Sequence, residues 1–264
     1  MKTILVFGAG GMVADHIEAA CKKRKDVKAY FLKKGQVDIT KFSEVDATCR
    51  KYKPDIIINC AGYVRSDEAE LNIETTYTIN LLGAILVAKA CRQHGSRLVH
   101  MDTCLSKDPV NEYAMSKRLA RYAVEQILRD KVYVPILGWL FSKRKSNNFT
   151  DLVLAAIKEK RILEVTNNVY GSPTYAPDAA DYIIERALVG ASGEEEVANK
   201  GKVTRWQYCE EIFKILNKKN FFKINNNFKE VAKRPKDVSL EGTLRPYEEA
   251  LREFLATELV KRKV

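Results

Sequence analysis

Tyr113 and Lys117 lie four positions apart in the segment NEYAMSK and have the chemistry of a proton donor and a supporting cation. A helix would place these two side chains on one face, within reach of each other. The same spacing recurs at Tyr30 and Lys34, but there the sequence predicts a strand and a turn, which separate the side chains. We therefore predict that Tyr113 and Lys117 are catalytic, with a surface helix pair as the alternative.

A glycine-rich loop, FGAGGMVAD, follows the first predicted strand and opens the first predicted helix. Gly8 permits a tight turn, and Gly11 lets the backbone, including the amide groups of Met12 and Val13, approach a pyrophosphate. The dipole of the following helix favours an anion at this point. The loop predicts a dinucleotide-binding site with these four residues as contacts, and a glycine turn without a ligand is the alternative.

The end of the second predicted strand bears on the choice of cofactor. An acidic residue there would bind the ribose 2′-hydroxyl of NAD, whereas this chain has Lys33 and Lys34, which suit the 2′-phosphate of NADP. The two lysines also fit an ordinary solvated turn. Asp38 and Ile39 lie where a contact with adenine is expected. We predict NADPH as the cofactor, with NADH as the alternative.

Two more predicted strands end in residues that suit a ligand site. CAGY follows the strand DIIIN, and DTC follows the strand RLVHM. Ligands of a doubly wound sheet bind beyond the carboxyl ends of its strands. We therefore add Ala61, Gly62 and Tyr63 to the cofactor site, where small residues leave room for a nicotinamide ribose. The hydroxyl of Thr103 is expected at the rim of the same cleft.

Strands alternate with helices up to residue 141, which indicates a parallel sheet covered on both faces. TILVF, DIIIN and VYVPILGWLF are continuous apolar runs of the kind that form buried strands. TTYTINLLGAILVAKACRQ (75–93) has apolar residues at helical spacing and predicts one helix. We predict an α/β fold, with a Rossmann-like doubly wound parallel sheet over residues 1–141. Residues 142–264 would form a smaller, partly interleaved C-terminal substrate lobe, with some segments returning to the first domain.

The composition limits the class of partner. The chain has 264 residues and a net charge of +11, and its sequence pI is about 9.2. A basic surface suits a diphosphate-bearing small molecule, and the lack of a zinc finger or arginine-rich tail argues against nucleic acid. No apolar run approaches the ~18 residues of a membrane span. The six scattered cysteines predict reduced thiols and no metal site. We expect a cytoplasmic enzyme, with monomer and homodimer both open.

Several segments together resemble the extended short-chain dehydrogenase/reductase family and, within it, the dTDP-4-dehydrorhamnose reductase branch. FGAGGMVA resembles the cofactor loop, VDIT the adenine contact, and KPDIIINCAGYVRSDEAE the strand, small-residue loop and Asp-x-Ala-Glu segment. SNNF, YGSPT and KRPKDVSL are also typical of this branch. The resemblance covers nearly the whole chain. It implies an NAD(P)H-dependent oxidoreductase of dTDP-rhamnose biosynthesis, a reductase of a nucleotide-activated 4-keto-6-deoxy sugar.

The resemblance also implies roles for single residues. Tyr113 would be the general acid, Thr103 would orient the carbonyl oxygen, and Lys117 would hold the nicotinamide ribose and lower the pKa of Tyr113. Asn80 fits a helix asparagine of the cofactor site. The candidate substrate residues are Thr103, Cys104, Trp139, Asn147, Asn148 and Arg234. The two asparagines equally fit a helix cap, Trp139 a core position, and Arg234 an exposed one.

The chain departs from the branch in three places. Asp102-Thr103-Cys104 stands where Ser-Thr-Asp is usual, only nine residues separate Thr103 from Tyr113, and VPILGW lacks an arginine that is common before the tryptophan. These differences lie in the half that would contact the sugar. They leave two other functions open, a nucleotide-sugar 4-epimerase and an NADP-binding regulatory subunit without turnover, like that of methionine adenosyltransferase.

Overall fold

The computed structural model describes residues 1–142, 148–219 and 222–260 of the chain. The chain divides into two compact units. The first comprises Met1–Ile136, Ala180–Glu195 and Glu230–Arg234, and the second comprises Leu137–Ala179, Glu196–Lys229 and Pro235–Val264. The main segment of the first unit thus ends at Ile136, whereas the sequence analysis placed the boundary after Phe141.

The described strands and helices alternate over much of the chain. In order, the strands are β1 Lys2–Phe7, β2 Val27–Leu32, β3 Ile56–Asn59, β4 Arg97–His100, β5 Asp102–Thr103, β6 Val132–Leu137, β7 Trp139–Phe141, β8 Leu163–Val165, β9 Tyr170–Gly171, β10 Pro173–Tyr175, β11 Gly193–Val197, β12 Asn199–Lys200, β13 Val203–Thr204, β14 Phe222–Ile224, β15 Asp237–Val238 and β16 Leu244–Pro246. The α-helices are α1 Met12–Lys22, α2 Phe42–Tyr52, α3 Ser66–Leu71, α4 Ile73–Tyr77, α5 Gly83–His94, α6 Glu112–Leu128, α7 Phe149–Glu159, α8 Ala176–Leu188, α9 Arg205–Ile215 and α10 Tyr247–Val260.

The first unit is built on a seven-stranded sheet in the order β11-β6-β4-β3-β1-β2, with β5 beside β6. The pairs from β2 to β6 are parallel. Their apolar runs, such as Ile56–Asn59, are buried because helices cover both faces of a parallel sheet. The chain winds to opposite sides of β1, to β2 on one side and β3 on the other, so a crevice opens at the carboxyl end of β1. The predicted α/β, Rossmann-like parallel sheet is confirmed.

The helix predicted over residues 75–93 is interrupted in the structure. A π-helical turn, Thr78–Leu82, separates α4 from α5. Directly after the turn, a Cβ placed on Gly83 would lie 2.7 Å from Cδ1 of Ile39, so a larger residue here would require the buried Ile39 side chain to move. Single π turns inside helices occur often at functional sites. The interruption matters here because Asn80 lies within it.

The strand predicted over VYVPILGWLF is two strands. β6 ends at Leu137 and belongs to the central sheet, whereas β7 pairs in parallel with β10 in the second unit. Gly138 separates them, and a Cβ on it would lie 2.3 Å from the carbonyl oxygen of Ser172. The apolar run continues across this point, so hydrophobicity alone did not reveal the break.

The second unit has short strand pairs around an aromatic core. The pairs are β7 with β10, β8 with β14, β12 with β16, and β9 with both β13 and β15. The core side chains come from strands such as β7 and β10 and from helices α7, α9 and α10, and they include Phe141, Tyr175, Tyr208, Phe213 and Phe254. Within the described part of the chain, no helix is long and apolar enough to cross a membrane.

Asp46 joins α2 to the end of α5. The residue is 5% exposed, and Oδ1 lies 2.8 Å from both the Gln93 side-chain nitrogen and Nε2 of His94. Oδ2 pairs with Arg50. The interaction with His94, followed by that with Arg50, holds the pKa of Asp46 below its ordinary value of 3.8. The ionised carboxylate therefore stabilises the first unit.

We expect Asp46→Asn to lower the midpoint of urea denaturation at neutral pH. Because the pKa of Asp46 is lowered on folding, its charge stabilises the protein above the unfolded value of 3.8. That contribution is lost as the pH falls through the folded value. The gap between wild type and variant should therefore narrow in acid. Denaturation curves across the acidic range would contradict this if the gap stayed constant.

Candidate active site

The glycine loop lies at the carboxyl end of β1, against the loop that follows β3. Gly8 has φ +84°, and a Cβ built on it would lie 2.4 Å from the backbone nitrogen of Ala61. The amide groups of Gly8 and Ala9 each donate to the carbonyl of Leu32 at 3.1 Å, at the end of β2. A side chain at position 8 would collide with backbone atoms, so only glycine fits. The ends of three strands therefore meet at Gly8.

Helix α1 begins at this loop with an uncapped N-terminus. The N-cap residue Gly11 has no side chain to bond the first-turn amide groups, which include those of Met12 and Val13. Gly10 has φ +90°, and the atom nearest to its Cβ position is Cε of the exposed Lys33, at 4.0 Å. The helix dipole and Lys33 both favour an anion here. The loop thus fits the pyrophosphate of a dinucleotide, and Lys33 fits a 2′-phosphate.

Asn80, in the π turn, fixes the loop that follows β3. It is 2% exposed. Its Oδ1 accepts the N–H of Tyr63 at 2.7 Å, and its Nδ2 donates to the carbonyl of Tyr63 at 3.0 Å and to Oγ of Ser116 at 2.9 Å. Both ends of the side-chain amide are bonded within the protein. Asn80 therefore holds the backbone of Tyr63 in the loop after β3, a positioning role that the sequence did not reveal, and its part in a cofactor site stays a prediction.

We expect Asn80→Ala to destabilise the protein by about 2–4 kcal/mol, because one buried and two partly buried polar groups lose their partner. NADPH binding should weaken as well, since the loop of Tyr63 is released. Urea denaturation and a fluorescence titration with NADPH measure the two effects. The control is Asn72→Ala, which removes a side-chain hydrogen bond from an exposed asparagine of the same region. Equal effects of the two substitutions would contradict the positioning role of Asn80.

Tyr113 and Lys117 lie near the start of α6 and are both buried, at 9% and 6% exposure, so they are not a surface pair. A side-chain hydrogen bond joins Tyr113 to Thr103 of β5. Lys117 donates from Nζ to the carbonyl of Met101 at 2.5 Å. The structure thus brings the three predicted catalytic residues together at the carboxyl ends of β4 and β5. By contrast, Tyr30 lies within β2 and Lys34 in the turn after it.

Burial shifts the pKa of both catalytic candidates towards their neutral forms. It raises the pKa of Tyr113, the charge of Asp102 adds to the rise, and the hydrogen bond with Thr103 opposes it. Burial lowers the pKa of Lys117, which Asp102 and Cys60 oppose. The sequence analysis expected Lys117 to lower the pKa of Tyr113. The structure does not show that shift, because desolvation of the phenolate is the larger effect. Tyr113 is held as the neutral phenol, the form that donates a proton.

Asp38 and Ile39 shape the turn before α2. The Asp38 carboxylate accepts the N–H of Thr40 at 3.0 Å and its hydroxyl at 2.7 Å, and these bonds hold the pKa of Asp38 below its usual value. Ile39 is buried next to Gly83. Both residues have clear structural partners. Their contact with an adenine ring stays a prediction.

Two predicted substrate residues lie in the second unit. The guanidinium of Arg205 lies 3.6 Å from the ring centroid of Trp139 and 4.3 Å from that of Phe149. A Cβ on Gly171 would lie 2.2 Å from Cε2 of Trp139, so this indole is closely packed. Asn148 caps α7 by accepting the N–H of Asp151 at 3.0 Å, as the cap alternative predicted.

Asn147 and Cys104 were also predicted to contact the substrate. Asn147 lies outside the described residues. Cys104, in the first unit, is 3% exposed, so its thiol has little surface to offer a substrate. Among the residues in the described ranges, none of the cysteines forms a disulfide, and no cluster of three His, Cys, Asp or Glu side chains is arranged for a metal.

Arg234 lies in the short segment that returns to the first unit. Its Nη2 lies 3.1 Å from Oδ1 of Asp67, and its Nη1 lies 3.2 Å from Oε1 of Glu230 and donates to the carbonyl of Ala232 at 3.0 Å. Asp67 also accepts the N–H of Ala232 at 3.1 Å. Two carboxylates thus pair with the guanidinium that the sequence analysis named as a candidate substrate contact. In the structure, Arg234 anchors its own segment, Glu230–Arg234, through these bonds.

The same segment anchors the start of α6, which carries Tyr113. Asn111 caps the helix by accepting the N–H of Ala114 at 2.8 Å, and its Nδ2 donates to the carbonyl of Lys233 at 2.7 Å. Glu70 accepts the N–H of Glu112 at 2.7 Å. The sequence analysis missed these positioning residues. An asparagine before a helix is a recognisable cap signal, but its distant partner is not.

Comparison with known proteins agrees with this geometry. The model of the family described as RmlD substrate binding domain matches residues 1–257. A dTDP-4-keto-6-deoxy-D-glucose reductase of Streptomyces niveus is 27% identical over 226 residues, which cover 80% of this chain and 78% of that protein. A dTDP-4-dehydrorhamnose reductase of Mycobacterium tuberculosis is 28% identical over 230 residues, which cover 80% and 74%.

A solved structure is similar over almost the full length. The crystal structure of dTDP-4-dehydrorhamnose reductase from Bacillus anthracis, in complex with NADP, aligns with a TM-score of 0.90 and 26% identity, and the alignment covers 97% of this chain and 99% of that one. The resemblance inferred from the motifs is therefore confirmed. The chain belongs to the RmlD substrate-binding domain family.

Proposed function

We propose that the chain is an NADPH-dependent reductase of a nucleotide-linked 4-keto-6-deoxy sugar, with dTDP-4-dehydrorhamnose as the first substrate to test. The observation that carries the proposal is the buried Tyr113, bonded to Thr103 within the unit that holds the glycine loop. Relatives with reductase names and an NADP-complexed structure support it.

Residues of the first unit would bind the cofactor, orient the carbonyl group and donate the proton. NADPH, when bound, supplies the hydride that reduces the carbonyl carbon. Gly11 and the open first turn of α1 would hold the pyrophosphate, and Lys33 would hold the 2′-phosphate. The Thr103 hydroxyl orients the carbonyl oxygen by a hydrogen bond. Tyr113 gives its phenolic proton to that oxygen, which leaves an alcohol on the sugar.

Lys117 supports the proton transfer electrostatically. When Tyr113 loses its proton, a phenolate is left in a buried place, which is costly without a nearby positive charge. The Lys117 ammonium stabilises that anion. The bond from Lys117 to the Met101 carbonyl fixes the position of the ammonium in the free chain. Tyr113 is protonated at neutral pH, and burial, which raises its pKa further, makes the support of Lys117 necessary when the proton leaves.

The test is NADPH oxidation, followed by absorbance, with a panel of nucleotide-linked 4-keto-6-deoxy sugars and with NADH in parallel. Consumption of NADPH with formation of one equivalent of alcohol supports the proposal. A chain that binds NADPH but reduces none of the sugars would contradict it and favour the regulatory subunit. Oxidised NAD that copurifies with the chain would favour the 4-epimerase.

The sugar nucleotide is the partner that this proposal requires. We also propose a cytoplasmic location, because a reductase of this kind draws on the cytoplasmic pools of NADPH and nucleotide sugars. Fractionation of cells and detection of the chain with an antibody test the location. Light scattering of the purified chain distinguishes the monomer from the homodimer.

A further inference from the structure

Asp102 is a buried carboxylate directly before Thr103, at 4% exposure. Its Oδ1 accepts the N–H of Thr103 at 2.8 Å, and its Oδ2 accepts the hydroxyl of Ser106 at 2.7 Å. Nη1 of Arg121 lies 3.5 Å from Oδ2. A buried carboxylate is costly unless donors surround it, and these three groups supply them. The carboxylate therefore has a fixed position beside the catalytic residues.

The groups around Asp102 and Lys117 include both signs of charge. They are Tyr113, Lys117, Arg121 and Glu125 on α6, His100 on β4, Cys60 after β3, Cys104 after β5 and Glu194 on β11. Nη1 of Arg121 also lies 2.7 Å from Oε2 of Glu194, so the guanidinium pairs with both the Asp102 and the Glu194 carboxylates. Burial lowers the pKa of His100 well below its ordinary value, so His100 adds no positive charge at neutral pH. Lys117 donates to the carbonyl of Met101, the residue directly before Asp102, so the chain places the buried Asp102 carboxylate close to the Lys117 ammonium.

We propose that Asp102 is a positioning residue of the reductase site, which holds the Thr103 backbone in place and supplies the buried negative charge beside the Lys117 ammonium. The proposal rests on the proposed function. Lys117 has lost its hydration and gains one carbonyl partner, Met101. A neighbouring anion offsets part of that loss.

The direct test is an NMR titration of Lys117 in the cofactor-free chain. The probe is ¹³C-labelled lysine, with the Lys117 signal assigned by its loss in Lys117→Arg. We expect Asp102→Asn to lower the titration midpoint of Lys117 by about 1–3 pH units. Asp102→Glu, which keeps the charge, should restore most of the shift. The control is Asp46→Asn, which removes another buried carboxylate of the first unit and should leave the midpoint unchanged.

Asp102→Ser is a second variant without the charge, and it keeps the measurement possible if Asp102→Asn fails to fold. An unchanged Lys117 midpoint in either neutral variant would overturn the proposal. The titration needs neither cofactor nor substrate, so it reports on Asp102 even if no ketone is reduced. In the active enzyme, the alkaline limb of the kcat/KM profile should move to lower pH by a similar amount. A merely structural role would lower the whole profile and leave the limb in place.

Discussion

Tyr113→Phe should lower the turnover of NADPH with a 4-keto sugar by about 10²–10⁴-fold, the usual contribution of a positioned general acid. The substitution removes one oxygen from a side chain that is 9% exposed and leaves the ring in its packing. NADPH affinity should therefore change little. Steady-state kinetics give the first quantity, and a fluorescence titration gives the second.

A matched control lies on the same helix. Tyr122→Phe makes the same chemical change at a side chain that is 63% exposed, and it should leave turnover unchanged. Equal turnover in wild type and Tyr113→Phe would remove Tyr113 from the mechanism. A large loss of NADPH binding in Tyr113→Phe would point instead to disruption of the cofactor site.

Gly8→Ala should abolish NADPH binding and destabilise the fold by about 3 kcal/mol or more. Alanine is strained at φ +84°, and its Cβ would lie 2.4 Å from the Ala61 nitrogen and 2.6 Å from the Cys60 carbonyl carbon. Because both neighbours are backbone atoms, relief requires that the loops after β1 and β3 move apart. Urea denaturation and NADPH titration measure the two losses.

Alanine substitutions at two other glycines should have smaller effects on stability and NADPH binding. At Gly11 φ is −81°, and a Cβ would lie 3.3 Å from the Gly8 carbonyl oxygen, so Gly11→Ala should fold and still weaken NADPH binding. Gly35 has open space around its Cβ position, so Gly35→Ala should change neither quantity. If Gly8→Ala bound NADPH as tightly as Gly35→Ala does, the loop would not be the pyrophosphate site.

The parts of the fold that the sequence predicted are those set by local chemistry. The apolar runs of β1 and β3 and the glycine spacing between β1 and α1 identified the parallel sheet and its crevice. Helical spacing likewise placed Tyr113 and Lys117 on one face of α6. Each of these inferences needs only residues that are close together in the chain.

The parts that the sequence did not predict depend on distant partners or on burial. Arg234 binds Asp67, which lies 167 positions away, so nothing in the sequence indicated that a carboxylate pairs with this guanidinium. Asn80, in the π turn, bonds to Tyr63 in the loop after β3 and to Ser116 on α6, and both partners are distant in the chain. The direction of the Tyr113 pKa shift depends on how deeply the phenol is buried, which spacing does not give.

The first unit is made of three separate stretches of chain, so no single fragment shorter than residues 1–234 contains it. A fragment that ended after residue 141 would contain the whole glycine loop and all three catalytic candidates. It would nevertheless lack β11, the edge strand next to β6, and the segment Glu230–Arg234, which bonds Asp67 and Asn111. We therefore expect that residues 1–141 cannot be moved into another protein as an independent cofactor-binding domain. An exchange of substrate lobes between relatives would have to retain this chain's own return segments.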